Sequence, residues 1–162
     1  MSAVKFREAT AEDVGLILQF IRALAEYEKM SGDVVATEEI LREWLFEKNS
    51  ARVIFAMEGE KEVGFALYFY NFSTFLGRAG LYLEDLFVLP EYRGRGYGKG
   101  LLAHLAAMAV ERGCGRMEWV CLDWNQPSID FYKSKSAVSL DDWTIYRLTG
   151  DTLTAFAKED KA

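Results

Sequence analysis

Two cysteines, two prolines and a single histidine are all that this chain of 162 residues holds of those types. Cys114 and Cys121 have no metal-ligand spacing, so no metal is expected and both read as packing thiols of a reducing compartment. With so little proline, and with aromatic residues at 14%, a disordered or fibrous chain is excluded. No stretch approaches the roughly 20 apolar residues of a membrane span, and Met1-Ser2-Ala3-Val4-Lys5-Phe6-Arg7 lacks a signal-peptide core. The chain therefore reads as cytoplasmic, without a membrane partner. A cationic excess is also missing. Nineteen Lys and Arg against 25 Asp and Glu leave a net charge of -6, which excludes a nucleic-acid partner and suits a cationic ligand.

About half the residues are apolar, enough for one core and too few for two ordinary domains, so residues 1–162 read as a single domain. Val4 to Glu8 alternates as a strand. Thr10 with Asp13 marks a helix start, and Val14, Ile17, Leu18, Ile21, Leu24 and Ala25 place an apolar stripe on a helix running to about Glu28. A second helix begins at Thr37-Glu38-Glu39. Arg52 to Met57 and Glu62 to Tyr70 form a hairpin, followed by a loop over 71–80 and a buried strand from Leu81 to Leu89. A third helix stops at Gly113. Met117 to Leu122 is a strand parallel to the one before, and Pro127 opens a fourth helix. Trp143 to Leu148 reads as a last strand and Asp151 to Lys158 as a terminal helix. The order βααβββαβαβα implies an α/β (α+β) layer fold with helices on the faces of a mixed sheet.

The segment Arg93-Gly94-Arg95-Gly96-Tyr97-Gly98-Lys99-Gly100 joins a buried strand to a helix N-terminus. Backbone N–H groups and the positive end of the helix dipole converge there on an anion. Bare glycines at 94, 96 and 98 let a diphosphate approach the main chain, with Arg93, Arg95 and Lys99 adding charge. Nucleotide hydrolysis does not fit, because Gly100 stands where a P-loop needs Ser or Thr. A dinucleotide fold does not fit either, because a hairpin precedes the loop.

Leu89-Pro90-Glu91-Tyr92-Arg93-Gly94-Arg95-Gly96-Tyr97-Gly98 resembles the acetyl-CoA pyrophosphate loop of the GNAT acetyltransferase superfamily, and Trp124-Asn125-Gln126-Pro127-Ser128-Ile129-Asp130-Phe131-Tyr132-Lys133 resembles its second CoA-contacting motif. Within it the chain is similar to spermidine/spermine (diamine) and thialysine N-acetyltransferases, through Arg7 to Thr10, Leu24 to Glu28, Leu81 to Asp85 and Asn125 to Lys133. The resemblance implies a GNAT-like, mainly antiparallel sheet with acetyl-CoA as cosubstrate. Leu86, Phe87 and Val88 would bond pantetheine through their backbone. Arg93, Gly94, Arg95, Gly96, Tyr97, Gly98 and Lys99 would hold the pyrophosphate, and Asn125 with Ser128 would touch the pantetheine arm. Tyr132 matches the general acid and Glu84 the carboxylate that draws a proton from the amine through water. Tyr27, Glu28, Glu84 and Asp85 match the acceptor site. A homodimer is expected on the same resemblance.

Elementary chemistry agrees with these roles. An alkylamine of pKa about 10.4 is protonated at neutral pH, so exposing its lone pair costs about 4–5 kcal/mol unless a base takes the proton. Glu84 and Asp85 interrupt an otherwise apolar strand, where unpaired carboxylates are costly. As strand neighbours they face opposite ways unless a bulge intervenes. Two features depart from the family. Ser136 stands where a glycine usually ends the fourth helix, making a left-handed cap costlier. The loop from Phe72 to Arg78 lacks the aspartate of polyamine-specific members, and Arg78 would suit an acceptor bearing a carboxylate. Acetylation of a small di- or polyamine, the same reaction on a thialysine-like amino acid, and an inactive CoA-binding regulatory domain are the functional alternatives.

Overall fold

A strand's alternating side chains are useful only when its backbone finds a neighbour, and five segments supply one another here. β1 (Lys5–Glu8), β2 (Arg52–Glu58), β3 (Lys61–Ser73), β4 (Arg78–Val88) and β5 (Met117–Trp119) form one sheet in that order. The first four are antiparallel neighbours, and β5 joins β4 in parallel across an intervening helix. The structure, a computed structural model, describes residues 3–161. It is a mixed, mainly antiparallel α/β fold. The chain divides into two compact units, Met1–Val120 and Cys121–Ala162.

In the first unit the two faces of the sheet are covered by different helices. α1 (Val14–Tyr27) buries Ile17, Phe20 and Leu24 against Phe55, Phe65 and Phe87. α2 (Glu38–Leu41) is capped by Thr37, whose Oγ1 accepts from the Ile40 N–H at 3.2 Å. It continues as a π-helical turn, Arg42–Glu47, and adds Leu41 and Leu45 to the same core. α3 (Tyr97–Arg112) lies on the other face. There the Arg112 guanidinium stacks 4.0 Å from the Tyr70 ring centroid, and the position a Gly64 Cβ would take is 3.4 Å from Leu101. His104 of α3 stacks on Phe6 of β1 at 4.2 Å, a packing role.

The N-terminal strand is pinned by charge. Arg7 donates from Nη1 and Nη2 to the two Asp13 oxygens at 2.9 and 3.0 Å and from Nη2 to Glu62 at 2.7 Å. Its Cζ lies 4.9 Å from the Phe55 ring centroid. Asp13 also accepts the Thr10 N–H at 2.7 Å, the reach-back half of a capping box. The hydrogen bond from Arg7 is the main reason the Asp13 carboxyl sits below its ordinary range.

The second unit contains α4 (Gln126–Ser134) and α5 (Gly150–Ala157). The expected last strand, Trp143 to Leu148, does not form. Among the described residues, Thr144 to Leu148 make no backbone hydrogen bond, and Trp143 and Tyr146 are exposed. Alternation supplies the propensity, but a strand exists only when a neighbour takes its N–H and C=O groups. Two smaller differences have local causes. The fifth strand stops at Trp119 rather than Leu122. The loop expected over 71–80 shrinks to a tip at 74–77, because Tyr70 to Ser73 carry no breaker and Gly77 takes φ +67° to close the turn.

Arg7→Met should remove three charge-assisted contacts and cost about 1–2 kcal/mol in urea denaturation at pH 7, a value reduced by the half-exposed setting. Asp13 is depressed in the folded state, so its contribution is present above the unfolded carboxylate pKa and lost as pH falls through the folded one. The gap between wild type and variant should therefore close below about pH 4.

Candidate active site

The apolar residues Leu81, Leu83, Leu86 and Val88 of β4 are spaced by two, three and two. A strand of strict period two could not put all four on one face. The register resolves this: Leu83 pairs with Tyr68 and Asp85 with Leu67, leaving Glu84 as an extra residue in a β-bulge. Leu81, Leu83, Leu86 and Val88 accordingly share the α3 face, while Asp85 and Phe87 face α1 with their partners Leu67 and Phe65. Glu84 is exposed, Asp85 only partly so. The bulge meets the condition under which both carboxylates act at one place.

At the far side of that place α1 ends. The Met30 N–H bonds Ala25 O at 2.8 Å and the Lys29 N–H bonds Glu26 O at 3.1 Å, with Lys29 left-handed at φ +61°, a Schellman turn without its usual glycine. This presents Tyr27 and Glu28 toward β4, where the Tyr27 and Phe87 ring centroids are 6.2 Å apart. Burial pushes the Glu28 carboxyl up. Burial, then the Glu84 and Glu28 charges, push Asp85 up to about 7. Three of the expected acceptor residues thus share one electrostatic neighbourhood.

β4 is paired on both sides only as far as Leu83. Its ladder with β5 ends at the Leu83–Trp119 pair, whereas Asp85 to Val88 remain paired to β3. Past Leu83 the β5 side of β4 carries no ladder, and the backbone groups of Leu86 and the Val88 N–H face it, where a ligand with amide groups could bond them; the expected Phe87 contact differs, because the Leu89 N–H on Val63 O puts the backbone groups of Phe87 on the β3 side. The residues fit a pantetheine chain. The glycine segment follows. A short turn, Pro90–Tyr92, leads to Gly94 at φ +76° and Gly96 at φ +90°, conformations a side chain would resist. Gly98 needs no such freedom; a Cβ there would meet Val88 and Leu86 at ordinary van der Waals distance. α3 makes its first turn hydrogen bond from Gly100 N–H to Gly96 O at 2.8 Å, so the N–H groups of Tyr97, Gly98 and Lys99 precede the helical ladder and suit an anion.

The cations of this segment are placed unequally. Lys99 is exposed. Arg95 donates to Glu58 at 3.1 Å, and the Tyr97 hydroxyl donates to the same oxygen at 3.0 Å. Arg95 and Lys61 stand over the Tyr92 ring at 5.2 and 5.0 Å. Arg93 lies over Tyr27 and Phe87, with its Nε–H on Val88 O at 3.0 Å. Glu58 and Lys61 are site neighbours that sequence reasoning missed, and Tyr92, inside the quoted loop, was given no role of its own. The β2–β3 turn carries no motif, and only the sheet brings it to the loop.

In the second unit Asn125 is buried and caps α4, its Oδ1 accepting the Ser128 N–H at 3.4 Å, with Pro127 in the first turn. Ser128 and Tyr132, four residues apart, lie on one side of α4. The helix closes with Ala137 N–H on Tyr132 O at 3.1 Å and Ser136 N–H on Lys133 O at 2.9 Å. Ser136 is left-handed at φ +65°, the costly serine cap its position implied.

A model of the acetyltransferase (GNAT) family matches residues 18–135, across both motifs. A thialysine N-epsilon-acetyltransferase of Bos taurus is 38% identical over 169 residues, covering 97% of this chain and 99% of its own. A spermidine/spermine N(1)-acetyltransferase-like protein of Homo sapiens is 30% identical over 99% of this chain, which spans 24% of that protein. A solved integron cassette protein from V. cholerae superposes with a TM-score of 0.81 at 31% identity, over 98% of this chain and all of its own. The chain belongs to the GNAT acetyltransferase family, and its reaction is acetyl transfer.

Two substitutions test the local physics. Asp85 is raised in the folded state, so its stability contribution is full below the unfolded pKa and is lost as pH rises through about 7. Asp85→Asn should match wild type in thermal unfolding near pH 4 and exceed it by about 2 kcal/mol at pH 8. Ser136→Gly should relieve the left-handed strain and stabilise the end of α4 by about 1 kcal/mol, read as slower amide exchange at Lys135 and Ala137.

Proposed function

We propose that the chain transfers the acetyl group of acetyl-CoA to the primary amine of a small di- or polyamine in a ternary complex. The observation that carries this is the meeting of Glu28, Glu84 and Asp85, three carboxylates from a helix end and a bulged strand, which favours a cation. The family match runs across both compact units, in support of one catalytic domain.

Acetyl-CoA supplies, when bound, a thioester carbonyl for the amine to attack. The remaining work falls to this chain. Glu84, exposed at the bulge, takes the ammonium proton through water, and Asp85 and Glu28 hold the cation. On the unladdered edge of β4 the backbone of Leu86 and the Val88 N–H bind the pantetheine amides and offer an N–H to the carbonyl oxygen. The opening turn of α3, with Gly94, Gly96, Gly98 and Lys99, holds the diphosphate. The family resemblance gives Asn125 and Ser128 as contacts of the pantetheine arm and the Tyr132 hydroxyl as the proton donor to the departing sulfur; within the second unit Asn125 caps α4, and Ser128 and Tyr132 lie on one side of that helix.

A second reading, the same reaction on thialysine or a lysine-like amino acid, is favoured by the name of the bovine relative and by exposed Arg78, which pairs with Ser73 at the hairpin tip and could meet a carboxylate. Steady-state rates with spermidine, putrescine, thialysine and lysine separate the two; turnover confined to the amino acids would exclude the polyamine reading. Tyr132→Phe should lower kcat about 100-fold with little change in the amine KM. Protonation of Asp85 below about pH 7 removes a negative charge from the acceptor wall, so the amine KM should rise as pH falls from 8 to 6. Absence of that rise would remove Asp85 from amine binding.

A further inference from the structure

We infer that Arg93 is a positioning residue for the amine side of the site, holding the end of α1 against β4, and that its charge is not what binds the cofactor's diphosphate. This rests on the reading of Tyr27 and Glu28 as acceptor residues.

Three contacts specify the Arg93 side chain. Its Cζ is 5.0 Å from the Tyr27 centroid and 5.0 Å from the Phe87 centroid, so the guanidinium is shared by one ring from α1 and one from β4. Its Nε–H donates to the Val88 carbonyl at 3.0 Å. The backbone is set as well, because the Arg93 N–H closes the Pro90–Tyr92 turn on Pro90 O at 3.3 Å. Stacking on rings with an in-plane donor to a carbonyl is a use of the planar fork that a lysine ammonium cannot reproduce.

The position of these contacts gives them a consequence. Tyr27 is the last residue of α1, and the next two residues carry the chain through Glu28 to left-handed Lys29. Leu24, one turn earlier, is still in the core with Phe87. Beyond it, the Arg93 stack ties the ring of Tyr27 to β4, three residues from the Glu84–Asp85 bulge. Losing the stack would let Tyr27 and Glu28 drift from the two β4 carboxylates. Anion binding, in contrast, is served by the N–H groups that open α3 and by Lys99.

Arg93→Lys separates the two roles, because it keeps a cation at this position and loses both the planar stack and the Nε donor. Wild type, Arg93→Lys, Arg93→Met and Tyr27→Leu would be compared by steady-state kinetics with the best amine, and by calorimetric titration with CoA. Expected for Arg93→Lys is an amine KM raised about tenfold with kcat within about twofold, and a CoA Kd within about threefold of wild type. Tyr27→Leu should do the same, and the double variant Arg93→Lys/Tyr27→Leu should lose no more than either single one.

A wild-type amine KM in Arg93→Lys overturns the inference. So does a CoA Kd weakened about tenfold in Arg93→Met but kept in Arg93→Lys, the signature of a charge that binds phosphate. Independent, additive losses in the double variant overturn it too. Arg93→Lys is the fold control for Arg93→Met, checked by circular dichroism. If wild type acetylates no amine at all, the acceptor reading falls and takes this inference with it. If wild type turns over and Arg93→Lys keeps its amine KM, the inference alone falls.

Discussion

The bulge at Glu84 is the constraint on which the site depends. A regular strand through Leu81-Tyr82-Leu83-Glu84-Asp85-Leu86-Phe87-Val88 would place Asp85 beside Leu81 and Leu83 on the α3 face and Leu86 and Val88 on the other. One extra residue re-phases the strand, so four aliphatic side chains go to α3 while Asp85 and Phe87 turn to α1. Burying a carboxylate near two others is unfavourable, and the raised Asp85 pKa expresses that cost. The cost is tolerated because the apolar residues on both sides of the bulge gain their proper faces.

The end of the β4–β5 ladder follows in the same few residues. Past Leu83 the parallel pairing stops, so the stretch that bears the carboxylates is also the stretch with backbone groups to offer a ligand. Gly94 and Gly96 then turn the chain, and α3 presents its first N–H groups. The groups left open in this stretch are main-chain ones, whereas Arg95 is bonded to Glu58 and Arg93 is stacked on two rings.

The three helices that deliver expected site residues, α1, α3 and α4, end alike, α3 on Gly113 at φ +84°. α1 and α4 close in Schellman turns whose left-handed residue is Lys29 in one and Ser136 in the other. Each carries backbone strain that glycine would avoid, one residue after Glu28 and four after Tyr132.

Much of this was legible beforehand. Helical stripes, the hairpin and the glycine loop are local patterns, so Val14–Tyr27, Arg52–Glu58 and Tyr97–Arg112 fall near where periodicity puts them. The serine cap at 136 was legible only through the resemblance, which puts a glycine at that place, and serine resists the left-handed conformation it takes there. The bulge had a signal in the two, three, two spacing of Leu81, Leu83, Leu86 and Val88. That signal has meaning only when β3 is beside it to leave Glu84 without a partner.

What the amino-acid order determined by itself is most of the elements and the residue types they carry: glycines and cations before a helix, carboxylates within an apolar strand, a tyrosine one turn after a serine. Tertiary structure decided which of these meet. It placed Glu28 near Asp85, Glu58 on Arg95 and Arg93 between Tyr27 and Phe87, and it left Trp143 to Leu148 outside any sheet. Each outcome turns on a partner distant in sequence, and neither a strand's hydrogen bonds nor a carboxylate's pKa has a value until that partner is in place.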